Sequence, residues 1–164
     1  MIVVAAEPFD GDDGQALTAA YHAFARTRFP GDFDPTRGLP ALHRDLVPPR
    51  GVFLVARDDG TAIGCGGLKT IETGLGEVKH MFVQPAHRGQ GVGFKILTAL
   101  EDHARERGMS RVVLDTSEFL PEAIALYGRS GYSAVEPYND NHYATHWFEK
   151  HLTRMRGGGQ SSSM

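Results

Sequence analysis

Apolar residues along this chain recur with two periods, and the changes from one to the other mark out its elements. Ile2-Val3-Val4-Ala5-Ala6 is a short apolar run closed by Pro8 and the turn-rich Asp10 to Gly14, and it predicts a first strand. Ala16, Leu17, Ala20, Tyr21, Phe24 and Ala25 then fall three or four residues apart, which is one face of a helix. Asp12 or Asp13 is its expected cap, and Pro30-Gly31 its expected end. Pro30 to Gly38 is rich in Pro, Gly and Asp and predicts a loop, while Ala41, Leu42, Asp45 and Leu46 suggest a short second helix before Pro48-Pro49.

Strand spacing follows. Val52 to Ala56 and Ala62 to Leu68 are apolar runs joined by Asp58-Asp59-Gly60-Thr61, a tight-turn signal for a hairpin. Gly64, Gly66 and Gly67 weaken the second run on propensity, and are expected to mark a bulge or a close approach by another backbone or a ligand. A second hairpin near Thr73 to Gly76 leads into a strand over Glu77 to Val83. Helical spacing returns at Val92, Ile96, Ala99 and Leu100, with His103 or Ala104 next, and stops at Gly108. Arg111 to Asp115 reads as a buried strand. A strand, a helix and a strand in that order make a crossover, so the strands at 77–83 and 111–115 are expected to be parallel. Pro121 suits the first turn of a helix carrying Ile124 and Tyr127 and ending at Gly131. Tyr132 to Val135 predicts a sixth strand, Pro137 to Asn141 a turn, and Tyr143 to Lys150 a last strand.

Composition narrows the class. At 164 residues the chain is read as one domain over residues 1–155, followed by a Gly/Ser tail over 156–164 that cannot bury a core and is expected to be disordered. A formal net charge of −3, with the signs interspersed, argues against a nucleic-acid surface. The single cysteine, Cys65, excludes an internal disulfide and fits a reducing compartment. No stretch reads as a membrane span or a signal peptide, so a cytoplasmic protein without membrane contact is expected.

The chemistry concentrates between Glu77 and Gly108, where strand, glycine loop and helix follow in order. That order puts free backbone N–H groups and the positive end of a helix dipole at one mouth, beside Arg88, and such a mouth suits an anion. The loop is neither common nucleotide motif. Phe94 stands where the dinucleotide fingerprint needs glycine, and no Gly-Lys-Ser/Thr follows for a Walker loop. The run Arg88-Gly89-Gln90-Gly91-Val92-Gly93, after Met81-Phe82-Val83-Gln84-Pro85, instead resembles the acyl-CoA signature of the GNAT acetyltransferase superfamily. Glu122-Ala123-Ile124-Ala125-Leu126-Tyr127 followed by Gly131-Tyr132 resembles a second motif of that superfamily.

This resemblance implies an α/β (α+β) fold with a mixed, mostly antiparallel sheet of about seven strands flanked by about four helices. Its fourth and fifth strands are expected to splay, with the pantetheine arm of acetyl-CoA in the gap against the backbone of Met81, Phe82 and Val83. The pyrophosphate is expected on Arg88, Gly89, Gln90, Gly91, Val92 and Gly93. Implied too is acetyl transfer from acetyl-CoA to a primary amine by direct attack in a ternary complex, with a non-catalytic acyl-CoA-binding module as the alternative. The acceptor is expected to be a small-molecule amine, with a protein amine also open. Relatives are often dimers, which adds a homodimer to the expectations.

Glu77, six residues before Val83, matches the position of a catalytic Glu in several members and is read as base or substrate anchor. The competing reading is a solvated strand-edge carboxylate paired with Lys79. Tyr127 is the implied general acid, against a purely packed helix aromatic. The oxyanion donor is expected to be a main-chain N–H near Phe82. Leu120 replaces an Asn that many relatives carry, which removes one expected cofactor contact. His142, His146 and His151 could ligate a metal on a helix, but strand propensity there sets residues four apart on the order of 13 Å from each other, so no metal is expected. His80 and His87 receive no role, and Cys65 is expected to be buried and unreactive. Asp10, Asp12, Asp13, Asp32 and Asp34 are read as caps and turns, or as a field that steers a cationic amine.

Overall fold

Helices cover both faces of the sheet, and this is why the run from Val52 to Ala56 is apolar without interruption. The computed structural model describes residues 1–153. Its elements are β1 (Ile2–Ala6), α1 (Asp12–Arg28), α2 (Leu39–Asp45), β2 (Gly51–Asp58), β3 (Thr61–Glu72), β4 (Leu75–Val83), α3 (Val92–Glu106), β5 (Arg111–Thr116), α4 (Pro121–Arg129), β6 (Ser133–Ala134) and β7 (His146–His151). The seven strands lie in the order β1-β2-β3-β4-β5-β7-β6, and all neighbours are antiparallel except β4 and β5. The parallel crossover through α3 is the one expected. The expected tail lies outside the described residues.

Alternation along β2 shows how one run serves two cores. Val52, Leu54 and Ala56 face Ile96, Leu97, Leu100 and Ala104 of α3, whereas Phe53 and Val55 face Phe9, Leu17 and Leu46 on the α1 side. Burying large side chains such as these contributes about 1.5–3 kcal/mol each. Three features differ from the expectations. Neither Asp12 nor Asp13 caps α1: its N-cap is Gly11 without a side-chain bond, and Asp13 is drawn instead to Arg57. The sixth strand shortens to two residues. The last strand starts at His146 rather than Tyr143, because Asn139 Oδ1 and Asn141 Oδ1 accept the N–H groups of Asn141 and Tyr143 and turn the chain there.

The β3 glycines mark the expected bulge and close backbone approach, since the register with β4 shifts between Cys65 and Gly67 and a Cβ on Gly64 would lie 3.0 Å from the Phe82 carbonyl oxygen; they also make room for side chains. A Cβ on Gly66 would lie 2.6 Å from Met81 Sδ and 2.8 Å from Ile96 Cγ2, and one on Gly67 would lie 2.7 Å from Leu46. Gly66→Ala is therefore expected to lower stability by about 1–3 kcal/mol in urea unfolding, through overpacking. Gly128→Ala gives the opposite sign, a gain of up to about 1 kcal/mol, because Gly128 sits inside α4 with open space where its Cβ would be.

Candidate active site

The site begins with a break in the sheet. β4 and β5 pair only at Leu75↔Arg111, Gly76↔Val112 and Glu77↔Val113; beyond those three the strands part. Between Gly67↔Lys79 and Cys65↔Phe82, two steps on β3 face three on β4, which is a bulge. His80 occupies it with φ +61°, a left-handed backbone uncommon outside glycine. The bulge inverts the alternation. Val78 and Met81 consequently reach the same core, although an unbroken strand would put them on opposite faces.

Beyond the bulge the ladder sets which backbone groups face the gap. Gln84 N–H donates to the Ile63 carbonyl at 2.8 Å. By the two-residue period of an antiparallel ladder, Phe82 turns its N–H and C=O toward β3, and Met81 and Val83 turn theirs into the gap. The expected amide near Phe82 is thus that of Met81 or Val83. The Val83 carbonyl accepts from Arg88 Nε at 3.0 Å, and the Arg88 guanidinium lies 4.1 Å from the Phe24 ring centroid.

At the end of β4 the chain passes through one 3-10 turn, Pro85–His87, into the glycine loop. Gly89 and Gly91 have φ of +78° and +80°, and Gly91 is the N-cap of α3 with no side-chain bond. Both need the left-handed region that glycine enters without a Cβ clash. The first N–H to find the helix is that of Lys95, on the Gly91 carbonyl at 3.1 Å. Among the described residues, the six N–H groups of Gly89 to Phe94 have no hydrogen-bond partner. Orphan donors at a helix start, where the macrodipole is worth roughly half a positive charge, form an anion cradle.

Two cavities meet here. The first, about 480 Å³, runs from Met81, Val83 and the cradle to Ala123, Leu126 and Tyr127 of α4. The second, about 370 Å³, lies on the α1 side between Phe29, Phe33 and Tyr143, with Lys79, His80 and Asp115 on its floor. Tyr21, Met81, Leu120, Ala123 and Tyr127 line both. Of the residues expected to hold the cofactor, Met81, Phe82, Val83, Arg88, Gly89, Gly91, Val92 and Gly93 line the first cavity, whereas Gln90 is exposed and does not. Leu120, in the place of the family's Asn, presents only an apolar wall.

Tyr127 is buried on the helix yet its hydroxyl has no partner among the described residues. Burial pushes its phenol above the usual range, with Tyr21 and the charge of Asp115 adding, so it stays protonated at neutral pH. Glu77 is placed differently. It is 3% exposed, which rules out the solvated strand edge, and it lines neither cavity. Tyr138 Oη donates to its Oε2, while Lys69 Nζ and Lys79 Nζ each lie 3.8 Å from its Oε1.

Sequence reasoning missed the segment that closes over the parted strands. Tyr138 reaches Glu77 of β4, and Asn139 and Asn141 reach Asp115 of β5. Its only sequence signal was its turn composition. His142 lies in this loop, and His146 and His151 stand at opposite ends of β7. Among the described residues no group of three or more His, Cys, Asp or Glu could hold a metal ion. Cys65 is buried and its thiol pushed up by burial.

The model of the family described as "Acetyltransferase (GNAT) family" matches residues 17–132. The IAA acetyltransferase of Azospirillum brasilense is 41% identical over 113 residues, covering 68% of this chain and 74% of that protein. The crystal structure of an acyl-CoA N-acyltransferase candidate from Klebsiella pneumoniae is 31% identical with a TM-score of 0.74, over 93% of this chain and 99% of that one. A Thermoplasma acidophilum PaiA N-acetyltransferase in complex with coenzyme A, 16% identical, has a TM-score of 0.73 over 93% of this chain and 99% of that one, a likeness of fold.

His80 gives the site a pH signature. Its Nε2 lies 2.9 Å from Thr18 Oγ1, and burial, then the His22 and Lys79 charges, lower its pKa from 6.5 to about 3. The folded state holds the neutral ring, so the contribution of this residue is complete above pH 6.5 and is lost as pH falls toward 3. Urea unfolding of wild type against His80→Asn is expected to show the larger loss between pH 6.5 and 4 in the wild type; parallel profiles would contradict it.

Proposed function

The chain belongs to the GNAT family of acetyltransferases, and on that footing we propose that it transfers an acetyl group from acetyl-CoA to a primary amine by direct attack in a ternary complex. One observation carries this reading: among the described residues, five of the six unpartnered amides at the start of α3 (all but that of Gln90) belong to residues lining the same cavity as Tyr127, whose hydroxyl is also without a partner. The diphosphate of the cofactor is assigned to the amides of Gly89 to Phe94, with the pantetheine arm against Met81 and Val83. The thioester then lies where the two cavities meet. The amine enters from the second cavity, whose bounded volume of about 370 Å³ suits a small molecule better than a protein chain.

In the proposed step the neutral amine nitrogen attacks the thioester carbon. A C–N bond forms and the oxyanion is held by the Met81 or Val83 N–H. Collapse breaks the C–S bond, and Tyr127 hydrogen-bonds the departing thiolate and supplies its proton. Transfer from a phenol raised above its usual range to a thiol that titrates near 8.5 is uphill, so the proton passes fully only as the thiol leaves. Glu77 is assigned the ammonium proton, taken through water because it lines neither cavity. No protein nucleophile is required. A reducing cytoplasm is the proposed compartment, in keeping with the lone Cys65.

A non-catalytic acyl-CoA-binding module is the second reading, favoured by the withdrawal of Glu77 from both cavities. Free-thiol release from acetyl-CoA over a panel of primary amines separates the two: amine-dependent, saturable release supports transfer, and binding of acetyl-CoA without release supports the module. Tyr127→Phe is expected to lower kcat by about 100-fold with acetyl-CoA affinity unchanged. In the wild type kcat should hold from pH 7 to about 10, since the acid is the protonated phenol and burial raises its pKa. Glu77→Gln should lower kcat with acetyl-CoA affinity unchanged; an unaltered kcat would remove the base role.

A further inference from the structure

Asp115 and Asp34 are the carboxylates lining the second cavity, and Asp115 stands on the sheet. Val112 and Leu114 point into the α3 core, so alternation turns Asp115 to the α1 side, two residues past the last pair between β4 and β5. It lines the second cavity, and Glu77 does not. Both its oxygens are occupied by neutral donors: Asn139 Nδ2 at 2.7 Å from Oδ2 and Asn141 Nδ2 at 3.2 Å from Oδ1.

Neither amide is free to turn over. Trp147 Nε1, which can only donate, binds Asn139 Oδ1 at 2.9 Å, and the Tyr143 N–H binds Asn141 Oδ1 at 3.1 Å. The donor ends of both amides therefore face Asp115. Such contacts orient a carboxylate and leave its charge uncompensated, and among the described residues no cation pairs with it.

The other charges at this cavity are accounted for. Lys79 faces Glu77 at 3.8 Å, and Arg37 at the rim lies 2.9 Å from His142 Nε2. Asp34 is exposed and bonded to Thr36. His80 is neutral at physiological pH, and burial lowers the pKa of His22. The charge of Asp115 also helps to raise the phenols of Tyr21, Tyr127 and Tyr138, which places it close to the meeting point of the cavities.

The same cavity also has an aromatic wall. Phe29 and Phe33 stack at 4.1 Å and 9°, and Tyr143 lies edge-on to Phe33 at 4.8 Å. We infer that Asp115 receives the ammonium group of an acceptor whose apolar, ring-sized body lies against Phe29, Phe33 and Tyr143. This rests on the acetyl-transfer reading for the ligand being an amine. It adds the residue that recognises the amine and the class of amine recognised: a primary ammonium on a short arm from an aromatic ring.

The test is equilibrium binding of 2-phenylethylamine and its neutral isostere 2-phenylethanol to the full chain by calorimetry. The wild type is expected to bind the amine at least tenfold more tightly than the alcohol. Asp115→Asn should lose that tenfold for the amine while binding the alcohol and acetyl-CoA as the wild type does. In the wild type the Asp115 side-chain carboxyl ¹³C resonance should move with the amine and stay with the alcohol, a readout that needs no variant to fold. Equal affinity for the two probes, binding of neither, an unmoved carboxyl resonance, or a variant that keeps the preference would each overturn the inference. Asp115-dependent amine binding without thiol release would refute acetyl transfer alone; thiol release with 2-phenylethylamine whose KM is unchanged in Asp115→Asn would refute this inference alone.

Discussion

Backbone hydrogen bonding in the interior of a sheet must be complete or must be answered by something else, and in this molecule it is deliberately left open between two central strands. After Glu77 and Val113 the fourth and fifth strands no longer reach each other. Each buried backbone group left unpaired costs about 1–3 kcal/mol, so the parting is tolerable only where water or a ligand can enter. The bulge at His80 makes the parting possible. It turns β4 by one residue, aims the backbone of Met81 and Val83 into the gap, and is held by Thr18 of α1 on one side and Gly66 of β3 on the other. The two cavities and the site built on them follow from that one local departure from strand geometry.

A second set of open hydrogen bonds lies at the end of the same strand. Gly89 and Gly91 bend the loop so that, among the described residues, the amides of six consecutive residues are left without acceptors at the positive end of α3. Arg88 does not neutralise this field from within the cradle. Its side chain is folded back over Phe24 and onto the Val83 carbonyl, beside the Arg28–Glu122 pair that ties α1 to α4. In the proposed reading, backbone groups carry the recognition of an anion, and side chains set the shape around them. The proposed ligands divide the site by charge in a similar way, an anion at the cradle in the first cavity and a cation at Asp115 in the second.

Much of this was legible in the residues because it is local. The hairpin at Asp59-Gly60, the crossover through α3, the glycine loop and the helix carrying Tyr127 each depend on neighbours a few positions apart, which is the range a pattern reports. The bulge was not legible. Glu77 to Val83 reads as an unbroken strand, and the pull of α1 on His80 comes from a residue 62 positions away. The β3 glycines were seen as marking a bulge or a close approach by another backbone or a ligand, and the bulge and the Phe82 backbone are there; the side chains of Ile96 and Leu46 that also approach are fixed by how helices dock. Asp115 escaped notice for a related reason: as the polar end of an apolar strand it resembles an ordinary strand terminus, and its meaning comes from Asn139 and Asn141, which reach it from a loop with no code of its own. Glu77 was found from its spacing, but spacing could not tell that Tyr138 would cover it.

The measurement that bears most directly on the open backbone is a titration of the full chain with coenzyme A, followed together by calorimetry and by backbone amide resonances. One equivalent should bind, with the largest shifts at Gly89 to Phe94, and Gly91→Asp should weaken binding at least tenfold by setting a carboxylate on the cradle. No binding, shifts centred elsewhere, or equal affinity in Gly91→Asp would contradict the account.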